Sequence, residues 1–114
     1  VKEVLGHMWD TERIFAYRAL RMARGDTTPL PGFEQDDYVR ATDFNRRTLA
    51  SLLDEFEAQR RGNLLFLEAL TAAEIDRRGT ASNGPFSVRA LIYVMTGHVL
   101  HHVESLRVDY QVGG

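Results

Sequence analysis

Apolar residues return at three- and four-residue steps through most of this chain, and hardly any segment alternates with a period of two. The first spacing is typical of helices with one buried face, and the second of half-buried strands. The pattern therefore predicts an all-α fold. A chain of 114 residues is long enough for one domain with its own core, so we expect residues 1–114 to form a single helical domain.

The first helix is expected to run from Val1 to about Arg24, because the dipeptide Gly25-Asp26 is a helix stop signal. Two prolines and two glycines crowd residues 25–32, which can be neither helix nor central strand. We therefore expect a loop that ends at about Tyr38 or Ala41. Loops this long in a compact domain are often functional or connect distant elements.

The second long helix is expected to begin at a cap formed by Thr42 or Asp43 and to end at about Leu70. The glycine at position 62 lies inside it and is expected to weaken or kink it. The sequence from Thr71 to Glu74 has the spacing of a capping box, which predicts a short helical turn.

The tract from Arg78 to Pro85 is predicted to be a polar turn, because small, polar and helix-breaking residues fill it. Ser87 is a good N-cap for a final helix, expected over about Val88 to Tyr110. Its apolar stripe also carries two histidines, His98 and His102.

Three substantial helices predict an antiparallel bundle, and four helices are the more common closed arrangement. The helical periodicity of apolar residues begins at the first residues of the chain, which have neither an N-cap residue nor an initiator methionine. We therefore expect the first helix of a four-helix bundle to lie upstream of Val1. Alternatively, a second copy of the chain covers the open face, which would make the protein a homodimer.

Charge and composition exclude several classes of function. The formal net charge of −2 gives no electrostatic reason to expect nucleic acid or an anionic membrane as a partner. No apolar run approaches the roughly 18 residues that span a bilayer, and no signal peptide is evident. The chain has no cysteine, so any metal would be held by histidine or carboxylate. A cytoplasmic protein is the expectation.

Three of the four histidines fall in the segment from Gly97 to Glu104. His98 and His102 are four residues apart, so both imidazoles leave one helix in the same direction, as in helices that bind a metal through two nitrogens. His101 is offset and is expected to face the edge or the solvent. The alternative is a pair of core histidines that are hydrogen-bonded to their neighbours.

His7 lies among apolar residues of the first helix and would complete a three-histidine site if folding brought it to the pair. By itself it is more often a packed core histidine. Three neutral nitrogens suit Zn²⁺, Ni²⁺ or Fe²⁺ and leave a coordination position for water or substrate. Asp10 and Glu12 follow His7, and we expect both on a solvated face. Alternatively, either carboxylate orients an imidazole of the site, or Glu12 approaches the metal. Four arginines are likewise expected to be solvated, with binding of a cofactor carboxylate as the alternative for one of them: Arg60, Arg61, Arg77 and Arg78.

The opening sequence Val-Lys-Glu-Val-Leu-Gly-His-Met-Trp-Asp-Thr-Glu-Arg and the closing Gly-His-Val-Leu-His-His-Val-Glu-Ser-Leu resemble the DinB/YfiT-like family of metal-dependent enzymes. The resemblance covers essentially the whole chain. It implies a four-helix bundle that holds a divalent metal through one histidine of the second helix and two of the fourth. Those histidines correspond here to His7, His98 and His102.

The resemblance also implies a range of functions. Family members with known activity are often S-transferases or isomerases that use a low-molecular-weight thiol such as bacillithiol, mycothiol or glutathione, and many others have no established reaction. We therefore expect a metal-dependent enzyme acting on a small molecule, such as a thiol-dependent S-transferase, or a hydrolase. The alternatives are a non-catalytic, stress-associated metal-binding protein and a purely structural helical bundle.

Overall fold

The computed structural model of the protein describes residues 1–95, and its first element is a long helix, α1 (Lys2–Ala23). The predicted stop at Gly25 is confirmed. Gly25 has a φ of +80°, its N–H donates to the carbonyl of Met22, and the next N–H, of Asp26, donates to the carbonyl of Arg21. This pair of bonds is a Schellman motif, which needs a left-handed residue that glycine supplies without steric cost.

The N-terminal part of α1 is enclosed on all sides. The five consecutive residues 5–9 are buried, which is more than one complete turn of helix. They belong to one of two core clusters, which we call the His7-end cluster: Leu5, Met8, Trp9, Phe44 and Leu52. The other, the hairpin-end cluster, consists of Ala19, Met22, Ala23, Leu30, Ala81, Val88 and Leu91. Helix α1 therefore contributes to one core cluster near each of its ends.

The expected loop after α1 contains a short helix, α2 (Gln35–Arg40), so the prediction of a loop reaching Tyr38 or Ala41 is wrong over these residues. None of its residues is buried and no side chain caps it, so neither apolar periodicity nor a capping residue indicates it in the sequence. Two acidic residues in its first turn and Arg40 in its last favour the helix dipole.

The second long helix, α3 (Leu49–Glu68), begins later than predicted. Its cap is Thr48, whose side chain accepts a hydrogen bond from the N–H of Ser51, and not Thr42 or Asp43. Between the expected cap at Asp43 and the observed cap at Thr48, a separate 3-10 turn (Phe44–Arg46) buries Phe44 in the His7-end cluster. Arg47 is extended and separates the two helical segments. The helix continues without interruption through Gly62.

The predicted capping box is confirmed in the short helix α4 (Ala72–Ile75), where Thr71 and Glu74 bond reciprocally. The tract that follows was expected to be only a polar turn. It forms an antiparallel hairpin of β1 (Arg78–Ala81) and β2 (Gly84–Ser87), with Ser82 and Asn83 both at positive φ in the turn. Positive φ at both central residues matches the right-handed twist of the strands.

The hairpin is followed by a helical segment over residues 88–95. Its predicted cap is confirmed, because the N–H of Ala90 donates to the Ser87 hydroxyl. The all-α prediction is thus confirmed, with one hairpin added to it. The number of bundle helices and the helix expected upstream of Val1 stay predictions. Within the described part of the chain, no helix is both long enough and apolar enough to cross a membrane.

Candidate metal centre

His7 lies in the enclosed N-terminal part of α1, where its side chain is 9% exposed. The adjacent residues Met8 and Trp9 are buried in the His7-end cluster. Trp9 also ties α1 to α3, because its Nε1 donates to the carbonyl of Leu52 at 2.7 Å and its ring stacks on Phe56 at 3.8 Å. The backbone that carries His7 is therefore held by packing and by a hydrogen bond to the neighbouring helix.

Thr11 lies one helical turn after His7, and its hydroxyl oxygen is 3.3 Å from Nδ1 of the imidazole. Both side chains are buried. Burial lowers the pKa of His7 below its ordinary value, and the carboxylates of Asp10 and Asp36 partly oppose this by raising it. A lowered pKa favours the neutral imidazole, which is the form that binds a metal ion.

A pocket of about 400 Å³ opens beside His7. One wall comes from the start of α1 and the other from α2, the short helix that the sequence did not indicate. The lining residues are Glu3, Val4, His7, Gln35, Asp36, Val39 and Arg40. Its size is that of a small-molecule site, and its walls combine two valines with charged side chains of both signs.

The other two predicted ligands, His98 and His102, lie outside the described residues, as does His101. Within residues 1–95, no group of three or more histidine or carboxylate side chains is placed to hold a metal ion. The three-histidine centre thus stays a prediction. His7 has the properties expected of a ligand in such a centre. Its imidazole is buried, the neutral form of the ring is favoured, and the side chain borders a pocket.

Glu12 does not lie on a solvated face, so that prediction is wrong. Its carboxylate is 3% exposed and accepts hydrogen bonds from Arg60 at 2.6, 3.0 and 3.2 Å and from Asn63 at 3.0 Å. Arg60 in turn lies over the ring of Phe56 and is not simply solvated. Because Arg60 and Asn63 of α3 engage both of its carboxylate oxygens, Glu12 holds α1 against α3.

Asp10 is half-buried, so it is less solvated than expected. Burial raises the pKa of the Asp10 carboxyl, while the charges of Arg13 and His7 lower it. Sequence reasoning also missed Thr11 and the wall formed by α2. The spacing of four residues between His7 and Thr11 was the available signal for the first, since such pairs meet on a helix.

Comparison with curated proteins and with solved structures gave no match. Comparison with family models gave one match, which spans all the described helices and strands and the segment that carries His98 and His102. The model of the DinB superfamily matches residues 1–106, and the chain therefore belongs to the DinB superfamily.

Proposed function

We propose that this DinB-superfamily protein binds a divalent metal ion through His7, His98 and His102 and acts on a small molecule as a metal-dependent enzyme, such as a thiol-dependent S-transferase. The observation that carries the proposal is the setting of His7. A buried imidazole whose neutral form is favoured borders a pocket of about 400 Å³. The spacing of His98 and His102 supplies two further nitrogens of the same chemical type.

The chemistry that a divalent cation would supply in such a site is the binding of a thiol as its thiolate, at neutral pH. The pocket beside His7 would receive the small molecule. Val4 and Val39 offer it apolar contact, and Asp36 and Arg40 offer charges of opposite sign on the α2 side. These residues would bind and orient a substrate with both an apolar and a polar part.

Elemental analysis of the purified full chain tests the metal part of the proposal. We expect about one Zn²⁺, Ni²⁺ or Fe²⁺ per chain, lost in His102→Ala and in His7→Ala with the helical content unchanged. His101→Ala is the matched control and should keep its metal, because His101 is offset from the pair. A wild type without metal, whose melting temperature does not rise in excess Zn²⁺ or Ni²⁺, would leave only the structural bundle.

The transfer of a low-molecular-weight thiol to a chromogenic electrophile tests the enzymatic part. Turnover that needs both the metal and the thiol supports the S-transferase, and turnover that needs metal and water alone supports a hydrolase. A protein that holds stoichiometric metal and turns over neither would be the non-catalytic, stress-associated metal-binding protein. The homodimer and the cytoplasmic location also stay predictions, checked by light scattering and by fractionation.

A further inference from the structure

The hydroxyl of Thr11 lies 3.3 Å from Nδ1 of His7, one turn along α1, and is itself 3% exposed. We infer that Thr11 is a positioning residue that keeps the His7 proton on Nδ1 and so leaves Nε2 as the nitrogen that ligates the metal. The inference deepens the proposed function and rests on it for its metal-binding readout.

The direction of the hydrogen bond decides which nitrogen of His7 carries the proton. If the Thr11 hydroxyl donates to Nδ1, the neutral ring carries its proton on Nε2 and cannot bind a metal there. If the hydroxyl accepts from Nδ1–H, Nε2 carries a lone pair. Histidine ligands usually have this second arrangement, with the other ring N–H donated to an acceptor that fixes the tautomer.

The helical setting of Thr11 is compatible with the accepting role that we infer. Threonine inside a helix commonly donates its hydroxyl hydrogen to the carbonyl oxygen three or four residues earlier. If the Thr11 hydroxyl donates its hydrogen to such a carbonyl oxygen, only the lone pairs of the hydroxyl oxygen are left to interact with the imidazole. Each group of the pair then has a partner, as burial requires.

The carboxylates near His7 do not replace Thr11 in this role. Asp10 and Asp36 act on His7 through charge and raise its pKa, whereas Thr11 lies within hydrogen-bond distance of Nδ1 in the described part of the chain. A neutral acceptor orients the ring without the strong preference for imidazolium that a carboxylate would add. The uncharged hydroxyl is thus compatible with the lowered pKa of His7.

The test compares Thr11→Val, which keeps the side-chain shape, with Thr11→Ser, which keeps the hydroxyl. In the metal-free full chain near pH 8, ring ¹⁵N chemical shifts show which nitrogen of His7 is protonated. We expect Nδ1–H in wild type and in Thr11→Ser, and a shift towards Nε2–H in Thr11→Val. Zn²⁺ affinity, measured by competition with a chromophoric chelator, should fall about 10- to 100-fold in Thr11→Val only.

Thr42→Val is the matched control, because Thr42 is exposed and the same substitution there should alter neither readout. Unchanged ring shifts and unchanged affinity in Thr11→Val would overturn the inference. A wild type that binds Zn²⁺ with the His7 proton on Nε2 would also overturn it, while the proposed function would stand. A wild type with Nδ1–H that binds no metal would support the positioning role and overturn the proposed function instead.

Discussion

The ion pair between Glu12 and Arg60 should respond asymmetrically to the loss of either partner. The Glu12 carboxylate is 3% exposed, whereas the Arg60 side chain is 35% exposed. Removing Arg60 leaves a buried carboxylate whose one remaining partner among residues 1–95 is the Asn63 amide. Removing Glu12 leaves a guanidinium that can turn towards water. Arg60→Met should therefore be the more damaging substitution.

The contacts give the expected magnitudes. Breaking a buried ion pair from one side costs about 3–5 kcal/mol, and we expect the lower end, about 3 kcal/mol, for Arg60→Met because water reaches this pair from the Arg60 side. Glu12→Met should cost about 1 kcal/mol, chiefly for the hydrogen bond lost by Asn63. The double variant removes both charges and should also cost about 1 kcal/mol. The two substitutions are then coupled by about 3 kcal/mol.

Urea unfolding of the full chain measures these free energies, and the chain provides its own probe. Trp9 is the only tryptophan, is 2% exposed and stacks on Phe56, so its fluorescence should change on unfolding. The control is Arg61→Met on the next residue of α3. Its side chain is 76% exposed and pairs with Glu57 at 3.8 Å, so the cost should stay below about 0.5 kcal/mol.

Two outcomes would refute this reasoning. If Glu12→Met costs as much as Arg60→Met, the buried carboxylate is not the group that needs compensation. If the double variant loses the sum of the two single losses, the side chains act independently and the ion pair does not hold α1 to α3. The slope of the free energy with urea should be equal in all variants, since a changed slope would indicate a changed unfolded state.

Three further substitutions test packing and charge. Gly6→Ala should destabilise by about 1–3 kcal/mol in urea unfolding, because its Cβ would lie 2.5 Å from the Phe44 ring. Gly62→Ala, whose added Cβ would meet no atom of another described element within 4 Å, should stabilise α3 by up to about 1 kcal/mol; a loss there would contradict the helix-propensity argument. Asp10→Asn should stabilise the protein at pH 7, because burial raises the pKa of Asp10 in the folded state. A group whose pKa is raised in the folded state stabilises the fold below its unfolded-state pKa, and this stability is lost as the pH rises through its folded-state pKa. The gain in stability from Asp10→Asn should therefore vanish near pH 3.

Signals that are local in sequence predicted local structure well. The glycine after α1, the capping box of α4 and the Ser87 cap each act within five residues, and the structure has all three. The start of α3 was misplaced for a reason outside the segment. Phe44 is drawn into the His7-end cluster beside Gly6, whose missing side chain allows the ring to approach α1. The burial of Phe44 thus depends on a contact across about 40 residues, which the local signals at Thr42 and Asp43 do not show.

The hairpin was missed because its strands are too short to show a period of two. Four residues on each side, with Pro85 among them, contain at most two alternations. Its stability depends on a neighbour distant in sequence, since Leu30 of the preceding loop bonds to both Thr80 and Ser82. The prolines and glycines of that loop predicted only that it is neither helix nor central strand. Its local composition does not indicate that it pairs with β1.

The polar residues of α1 follow a rule that apolar periodicity does not show. A helix with one buried face can leave its polar side chains in water, but α1 is enclosed on all sides near His7, so each buried polar side chain needs a protein partner. His7 has Thr11, Glu12 has Arg60 and Asn63, and Arg18 donates to the carbonyl of Pro31 and the Ser82 hydroxyl. The spacing of Glu12 from Met8 and Trp9, at four and three residues, already placed its charge on an apolar stripe. A charge at such a position predicts a buried partner, although only the fold could identify it as Arg60.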